Sequence, residues 1–259
     1  MIDESSPYAP WIDGLVKTVQ DAGTAIMNVY FSDFSVARKS DGSPVTEADQ
    51  RAEAVILAHL RELTPDLAVV AEEEAEKGVM QDVGNRFWLV DPLDGTKEFI
   101  ERSGEFTVNV ALVDNGRPVL GMVLAPALGK LYVGAVGGGA FLEDQNGRRR
   151  ISCRPPPAEG LTVVASRTHG DVEKLKSFLD GHLVARFKSA GSSLKFCLLA
   201  SGEADLYPRF GRTMKWDTAA GHAVLVAAGG RVTTESGEPL IYRKPGFNNP
   251  SFVAWGLTE

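Results

Sequence analysis

The residues best placed to do chemistry are carboxylates. The stretch Trp88-Leu89-Val90-Asp91-Pro92-Leu93-Asp94-Gly95-Thr96 opens as an apolar strand that ends at Asp91. Pro92 has no N–H to give a ladder, so the next carbonyls are free to point elsewhere. Asp91 and Asp94 face one another across the turn, and both carboxylates can converge on one spot. Gly95 removes a side chain where a ligand can approach. Thr96-Lys97-Glu98-Phe99-Ile100 can start a helix, whose unpaired N–H groups favour an anion. Cation-holding oxygens beside anion-holding amides suit Mg²⁺ together with phosphate. The plain alternative is a solvated Asp-Pro…Asp-Gly turn.

Other carboxylates stand where they can join. Glu72-Glu73-Glu74 follows the apolar run Leu67–Ala71. A solvated acidic run is the usual fate of such a stretch; pairing of that run with Phe87–Val90 would bring Glu72 to Asp91. Lys215-Trp216-Asp217-Thr218-Ala219-Ala220-Gly221 begins the last long helix. Its plain reading is an Asp217 N-cap, worth roughly 1 kcal/mol, which leaves a second oxygen for a metal. Thr46-Glu47-Ala48-Asp49 resembles a capping box with Asp in the Glu/Gln place. From these four residues alone, capping and catalysis are equally supported at Asp49. No G-x-S-x-G elbow and no reactive Cys motif is present, and the Gly134–Gly139 run lacks the Gly-Lys-Ser/Thr of a P-loop. It reads as a glycine-rich hairpin.

These groups need elements to hold them. Trp11, Ile12, Leu15, Val16, Val19, Ala22, Ile26 and Val29 recur at helical spacing. A polar loop with a short strand spans Phe31 to Gly42. A second helix runs from Thr46 to Leu60, closed by Pro65. Strands follow at Leu67–Ala71, Phe87–Val90, Phe106–Val113, Pro118–Leu124, Lys130–Val136 and Ala140–Leu142, with a turn at Asp114-Asn115-Gly116. Arg154-Pro155-Pro156-Pro157 reads as a stiff linker. Beyond it, strand Leu161–Ala165, helix Val172–Leu179, a strand near Ala185, helix Ser193–Ser201, strand Ala204–Tyr207 and helix Thr218–Ala228 alternate. The expected class is α/β with an α+β N-terminal part: residues 1–153 carry an antiparallel sheet, and residues 154–259 form an α/β domain completing the site.

Composition bounds the partners. The chain has 259 residues, 44% hydrophobic and 24% charged, with a net charge of −7. That excludes a disordered or fibrous chain and argues against nucleic-acid polymers and anionic membranes as main partners. A small phosphorylated ligand needs only a local pocket. Cys153 and Cys197 have neither CxxC nor zinc-type spacing, so a reduced, cytoplasmic setting without disulfide or zinc is expected. The acidic N-terminus has no signal-peptide pattern, and no integral membrane segment is expected. Peripheral attachment to an inner membrane stays open, as does the choice between monomer and homodimer.

The Asp91-Pro92-Leu93-Asp94-Gly95-Thr96 motif, the upstream Glu-Glu and Trp216-Asp217-x-Ala-Ala-Gly221 together resemble the inositol monophosphatase superfamily of Mg²⁺-dependent, Li⁺-sensitive phosphatases. Gly95–Ile100, Gly104–Asn109, Gly191–Cys197 and Trp216–Ala223 are most similar to its bacterial CysQ-type 3′(2′),5′-bisphosphate nucleotidases. Where many inositol monophosphatases have Thr-Asn-Phe after the Gly-Thr, this chain has Lys97-Glu98-Phe99. The resemblance spans Pro44 to the C-terminal strand and implies a layered αβαβα sandwich.

It also implies roles. Glu72, Asp91, the Leu93 carbonyl, Asp94 and Asp217 would hold two or three Mg²⁺ ions. Asp49 and Thr96, with Glu72, would serve catalysis by orienting and deprotonating water. Gly95, Thr96, His169, Ser192, Lys195, Arg209 and Asp217 would contact the substrate. Without the resemblance, Lys195 reads as a helix residue with a solvated head, Arg209 as a strand-end surface cation and His169 as a loop histidine. His59, His182 and His222 read as structural or exposed, Tyr207, Phe196 and Trp216 as core, and Arg148-Arg149-Arg150 as a solvated hairpin end. The implied substrate is adenosine 3′,5′-bisphosphate, with 3′-phosphoadenylyl sulfate as a second and sulfur assimilation as the setting. An inositol, sugar or histidinol monophosphatase keeps the chemistry with another ester. A nucleotide-binding protein without turnover is the alternative of a different class.

Overall fold

The computed structural model describes residues 2–39, 42–78, 83–165, 172–243 and 246–257. Two long helices come first, α1 (Ile12–Tyr30) and α2 (Glu47–Leu63), separated by the small hairpin β1 (Ala37–Arg38) and β2 (Pro44–Val45). Then come β3 (Ala68–Ala71), the short α3 (Glu72–Glu76), β4 (Arg86–Asp94) and the short α4 (Thr96–Ile100). An antiparallel run follows: β5 (Thr107–Asp114), β6 (Arg117–Ala125), β7 (Lys130–Ala135), β8 (Gly139–Asp144) and β9 (Gly147–Ile151). The remainder is β10 (Leu161–Ala165), α5 (Val172–Leu179), β11 (Val184–Ser189), α6 (Leu194–Ala200), β12 (Leu206–Arg209), α7 (Lys215–Ala227), β13 (Arg231–Thr234) and β14 (Phe252–Trp255).

Strands β3 to β9 form one sheet in chain order, in which only the β3–β4 pair is parallel. A second sheet has the order β11-β10-β12-β14-β13 and mixes parallel and antiparallel pairs. Period-two alternation explains the layering. On β4, Trp88 and Val90 pack into the core with α1 and α2, while Phe87 and Leu89 pack into the core with α6 and α7. The central strands are buried on both faces, so they read as continuous apolar runs rather than alternating ones. The second core also takes Tyr207, Phe252 and Ala254 from the second sheet, whose opposite face presents Val163, Leu206 and Val253 to Phe178 and Leu179 of α5. The layers therefore run α1/α2, first sheet, α6/α7, second sheet, α5, the expected αβαβα sandwich.

Helix α7 lies unusually close to the first sheet. A Cβ on Gly121 of β6 would run into the Ala220 carbonyl, and one on Gly134 of β7 would run into the Val224 backbone. Glycine at both positions lets helix and sheet backbones touch.

Several expectations need correction. β4 does not stop at Asp91; it continues to Asp94 through a register shift between Asp91↔Asn109 and Asp94↔Thr107. A bulge absorbs Pro92, which has no ladder hydrogen to offer. Arg148–Arg150 are exposed as expected, but they form edge strand β9, where Arg148 and Arg149 pair with Glu143 and Asp144. β12 begins two residues later than the expected strand. Cys153 and Cys197 are buried free thiols. Among the described residues, no helix is long and apolar enough to cross a membrane.

Candidate active site

The carboxylates meet where elements from both ends of the chain converge. Parallel register pairs Ala71 with Val90, so Glu72 at the start of α3 and Asp91 on β4 leave adjacent strands side by side. Asp91 is 2% exposed, and its Oδ1 accepts the Leu93 N–H at 3.0 Å. Asp94 accepts from Asn109 Nδ2 at 3.5 Å and from the Ser193 N–H. Asp217 is the third residue of α7 rather than its N-cap: Met214 occupies the cap position, and Asp217 Oδ2 reaches back to the Met214 N–H at 2.8 Å. The sequence placed the helix start too late because Lys215 and Trp216 are themselves helical and buried. Ser193 ties the two helices by donating to the Asp217 carbonyl at 2.5 Å.

These acids crowd. Burial first, then repulsion from Glu72, Asp94 and Asp217, holds the Asp91 carboxyl well above its usual range. Burial and Asp94 do the same to Asp217. Burial pushes Asp94 up to about 6, even with Lys195 opposing the shift. Such a group asks for positive charge. The donors available, four carboxylates and the Leu93 carbonyl, are all hard oxygens, and they fit Mg²⁺.

A tighter acidic group stands at one side. Single oxygens of Glu72, Glu73 and Glu76 lie within 4.8 Å of one another. They are gathered around Lys39, whose Nζ is 2.7 Å from Glu72, 2.6 Å from Glu73 and 3.1 Å from Glu76. That group already holds a buried ammonium, so the demand for a cation falls on Glu72, Asp91, Asp94 and Asp217. Lys39 escaped sequence reasoning, because a single lysine in a polar loop carries no signal of where the loop folds.

Asp49 and Thr96 come together from α2 and α4. Thr96 Oγ1 lies 3.3 Å from Asp49 Oδ1 and 3.4 Å from the Leu93 oxygen. Asp49 Oδ2 completes the capping box, accepting from the Thr46 N–H and hydroxyl at 2.8 Å each. Burial pushes the Asp49 carboxyl up to about 6, with the Thr46 hydrogen bonds opposing. Thr96 follows Gly95, whose φ of +92° turns β4 into α4.

One cavity of about 680 Å³ collects the site; Glu72, Asp91, Leu93, Asp94, Gly95, Thr96, Ser192, Lys195, Arg209 and Asp217 all line it. Asp49 stands behind Thr96 and is buried. Lys195 is no solvated helix residue. It is 6% exposed, its Nζ donates to the Ser192 carbonyl at 2.6 Å, and the ammonium lies 5.5 Å from the Tyr207 ring centre. Burial pulls it down to about 8, while Asp94 supports its charge. Ser192 has φ +40° and donates its hydroxyl to the Glu105 carbonyl at 3.1 Å. Arg209 ends β12 on the cavity wall, its Nη2 donating to the Arg212 carbonyl at 3.0 Å. His169 lies outside the described residues. Besides Lys39, the cavity wall adds Ser43 and Arg212, which the sequence did not single out, and Trp216, buried as expected but also lining the site.

The inositol monophosphatase family model matches residues 8–258. The chain belongs to that family. It is 49% identical over 244 residues to the 3′(2′),5′-bisphosphate nucleotidase CysQ of Escherichia coli K12, covering 93% of this chain and 98% of that protein. The Buchnera aphidicola CysQ is 41% identical over 251 residues, covering 95% of this chain and 94% of that one. The crystal structure of Bacteroides thetaiotaomicron CysQ, 38% identical, matches with a TM-score of 0.81 over 95% of this chain and 97% of that one. The family expected from Asp91–Thr96 and Trp216–Gly221 is the family the whole chain matches.

Proposed function

We infer that this chain is a 3′(2′),5′-bisphosphate nucleotidase, hydrolysing the 3′-phosphate of adenosine 3′,5′-bisphosphate to AMP and phosphate. The observation that carries it is one cavity lined both by a crowded carboxylate group and by the buried Lys195. A monophosphate needs only the first; a doubly phosphorylated nucleotide uses both. The identity to CysQ enzymes over almost the whole chain supports the same reading.

Glu72, Asp91, Asp94, Asp217 and the Leu93 carbonyl would hold Mg²⁺, two or three ions in all. Bound there, Mg²⁺ supplies positive charge to the phosphoryl oxygens and makes water more acidic. The protein contributes positioning and proton transfer, which is most of what phosphoryl transfer asks for. Thr96 directs its hydroxyl hydrogen at Asp49, so its oxygen is left to accept from the attacking water. As the water oxygen bonds to phosphorus, its proton passes by way of Thr96 to Asp49, whose raised pKa suits a base working near neutrality. The bond between phosphorus and the 3′ oxygen breaks, its electron pair leaves with that oxygen, and the oxygen takes a proton from solvent to become the 3′-hydroxyl of AMP. Ser192, Lys195 and Arg209 hold the 5′-phosphate, with Gly95 leaving room for the reacting phosphate. 3′-Phosphoadenylyl sulfate carries the same 3′-phosphate, with its 5′-phosphate joined to sulfate, and is a second substrate.

Phosphate release from adenosine 3′,5′-bisphosphate and from inositol 1-phosphate at equal Mg²⁺ tests this. Preference for the nucleotide is expected; preference for the inositol ester overturns the substrate, and binding without release overturns the enzyme.

A further inference from the structure

A second cavity of about 790 Å³ shares no lining residue with the first. It lies where the start of β6, the middle of α7 and strands β13 and β14 meet. Val119, Val253 and Trp255 supply apolar wall, and the Arg231 guanidinium stacks over Trp255 at 5.8 Å from the ring centre.

Two polar features point inward or guard the rim. Thr218 donates to the Lys215 carbonyl at 3.3 Å, so its oxygen accepts the Tyr242 hydroxyl hydrogen at 3.1 Å. The Tyr242 oxygen then accepts from His222 Nδ1 at 3.1 Å. This network assigns the His222 proton to Nδ1 and leaves Nε2 a bare acceptor. Burial pushes the imidazole down to about 3, so the ring stays neutral. His222 is 6% exposed, lines the cavity, and no described residue donates to its Nε2. At the rim, Arg117 is exposed, and no described side chain pairs with its guanidinium.

We propose that this cavity is an effector site for a small molecule with a flat apolar body, one N–H or O–H donor and one anionic group. The body lies against Val119, Val253 and Trp255, the donor reaches His222 Nε2, and the anion meets Arg117. The volume is that of an ordinary small-molecule pocket, in the range of about 300–1,000 Å³. The chain His222–Tyr242–Thr218 ends beside Asp217, so an occupant that fixes His222 also restrains the first turn of α7. That turn carries a proposed Mg²⁺ ligand.

Anilinonaphthalene sulfonate has all three features and serves as the probe. Added to the folded enzyme with Mg²⁺, it should show saturable fluorescence at a single site that AMP does not displace. Arg117→Glu and Thr233→Trp, one removing the rim charge and one filling the cavity, should each weaken binding by roughly tenfold or more. Both variants should release phosphate normally without the dye. Bound dye should shift the Mg²⁺ concentration for half-maximal phosphate release by about twofold or more. Absence of saturable binding, displacement by AMP, or unchanged affinity in both variants overturns the site. Saturable binding with an unmoved Mg²⁺ requirement overturns the effector role. The binding arm does not use turnover, so it stands apart from the nucleotidase reading.

Discussion

Asp49 divides its two oxygens between two tasks: Oδ2 caps α2 through Thr46, and Oδ1 faces the Thr96 hydroxyl at 3.3 Å. The helix start therefore holds the base in place. Asp49→Asn keeps an oxygen for the cap and removes the proton acceptor. Phosphate release should fall by roughly 10²–10⁴-fold, with a melting temperature near that of the parent. Thr46→Ala should do the reverse, costing about 1 kcal/mol of stability with turnover largely kept. Wild-type turnover in Asp49→Asn would refute the assignment.

Crowded acids make stability depend on pH and metal together. Asp94 sits at about 6 in the folded chain against 3.8 in an ordinary environment, and Asp91 and Asp217 shift the same way. Raised folded values mean that the folded state holds its protons more tightly than the unfolded chain does. That contribution is present at acid pH and is lost as pH rises through the folded values. The melting temperature of chelated protein should fall between roughly pH 4 and pH 7 through Asp94, with Asp91 and Asp217 acting in the same direction. Added Mg²⁺ should raise it more at pH 8 than at pH 5, because ionised carboxylates bind the metal. Calorimetry in the two conditions checks this, and equal Mg²⁺ effects would count against the cradle.

Lys195 should govern discrimination between substrates. Lys195→Ala should raise KM for the bisphosphate by at least roughly tenfold and leave a simple monophosphate nearly unchanged. Burial places the ammonium near 8, so it loses its proton as pH climbs past that value. KM for the bisphosphate should rise above pH 8 while that of the monophosphate stays level. Parallel profiles would remove Lys195 from the second-phosphate site.

Lys39 holds three carboxylates in a place where its side chain is 7% exposed. Lys39→Met leaves those acids without their cation, and removing one partner of a buried ion pair costs about 3–5 kcal/mol. The variant should melt lower at pH 8 than the parent and recover part of the loss in Mg²⁺. Thermal melts with and without the ion measure it; an unchanged melting temperature would mean that the cluster is not held by this lysine.

The elements of this fold were legible in periodicity, and their layering in the family resemblance. Trp88 and Val90 against Phe87 and Leu89 divide the two faces of β4 as alternation requires, and the helical stripe from Trp11 to Val29 finds its sheet. The carboxylates were legible because Asp91 and Asp94 lie close in sequence and short motifs carry them. What stayed hidden depends on distant contact. The burial of Lys195 comes from Ser192 and Tyr207, and the place of Lys39 comes from α3 folding over it. Pro92 misled because a bulge is a tertiary solution to a local problem. Asp217 was read three positions out, as the N-cap in place of Met214, because the two buried residues ahead of it, Lys215 and Trp216, join the helix through packing.

The contact between α7 and the first sheet has a consequence for evolution. Three of the four acids, Glu72, Asp91 and Asp94, ride on the sheet side, and Asp217 rides on α7. Their spacing is set by the absence of two methyl groups, at Gly121 and Gly134. An alanine at either place touches no substrate and alters no charge, yet it levers one jaw of the site away from the other. Two positions deep under the helix, neither of them charged nor near the substrate, thus tolerate no side chain without moving the site.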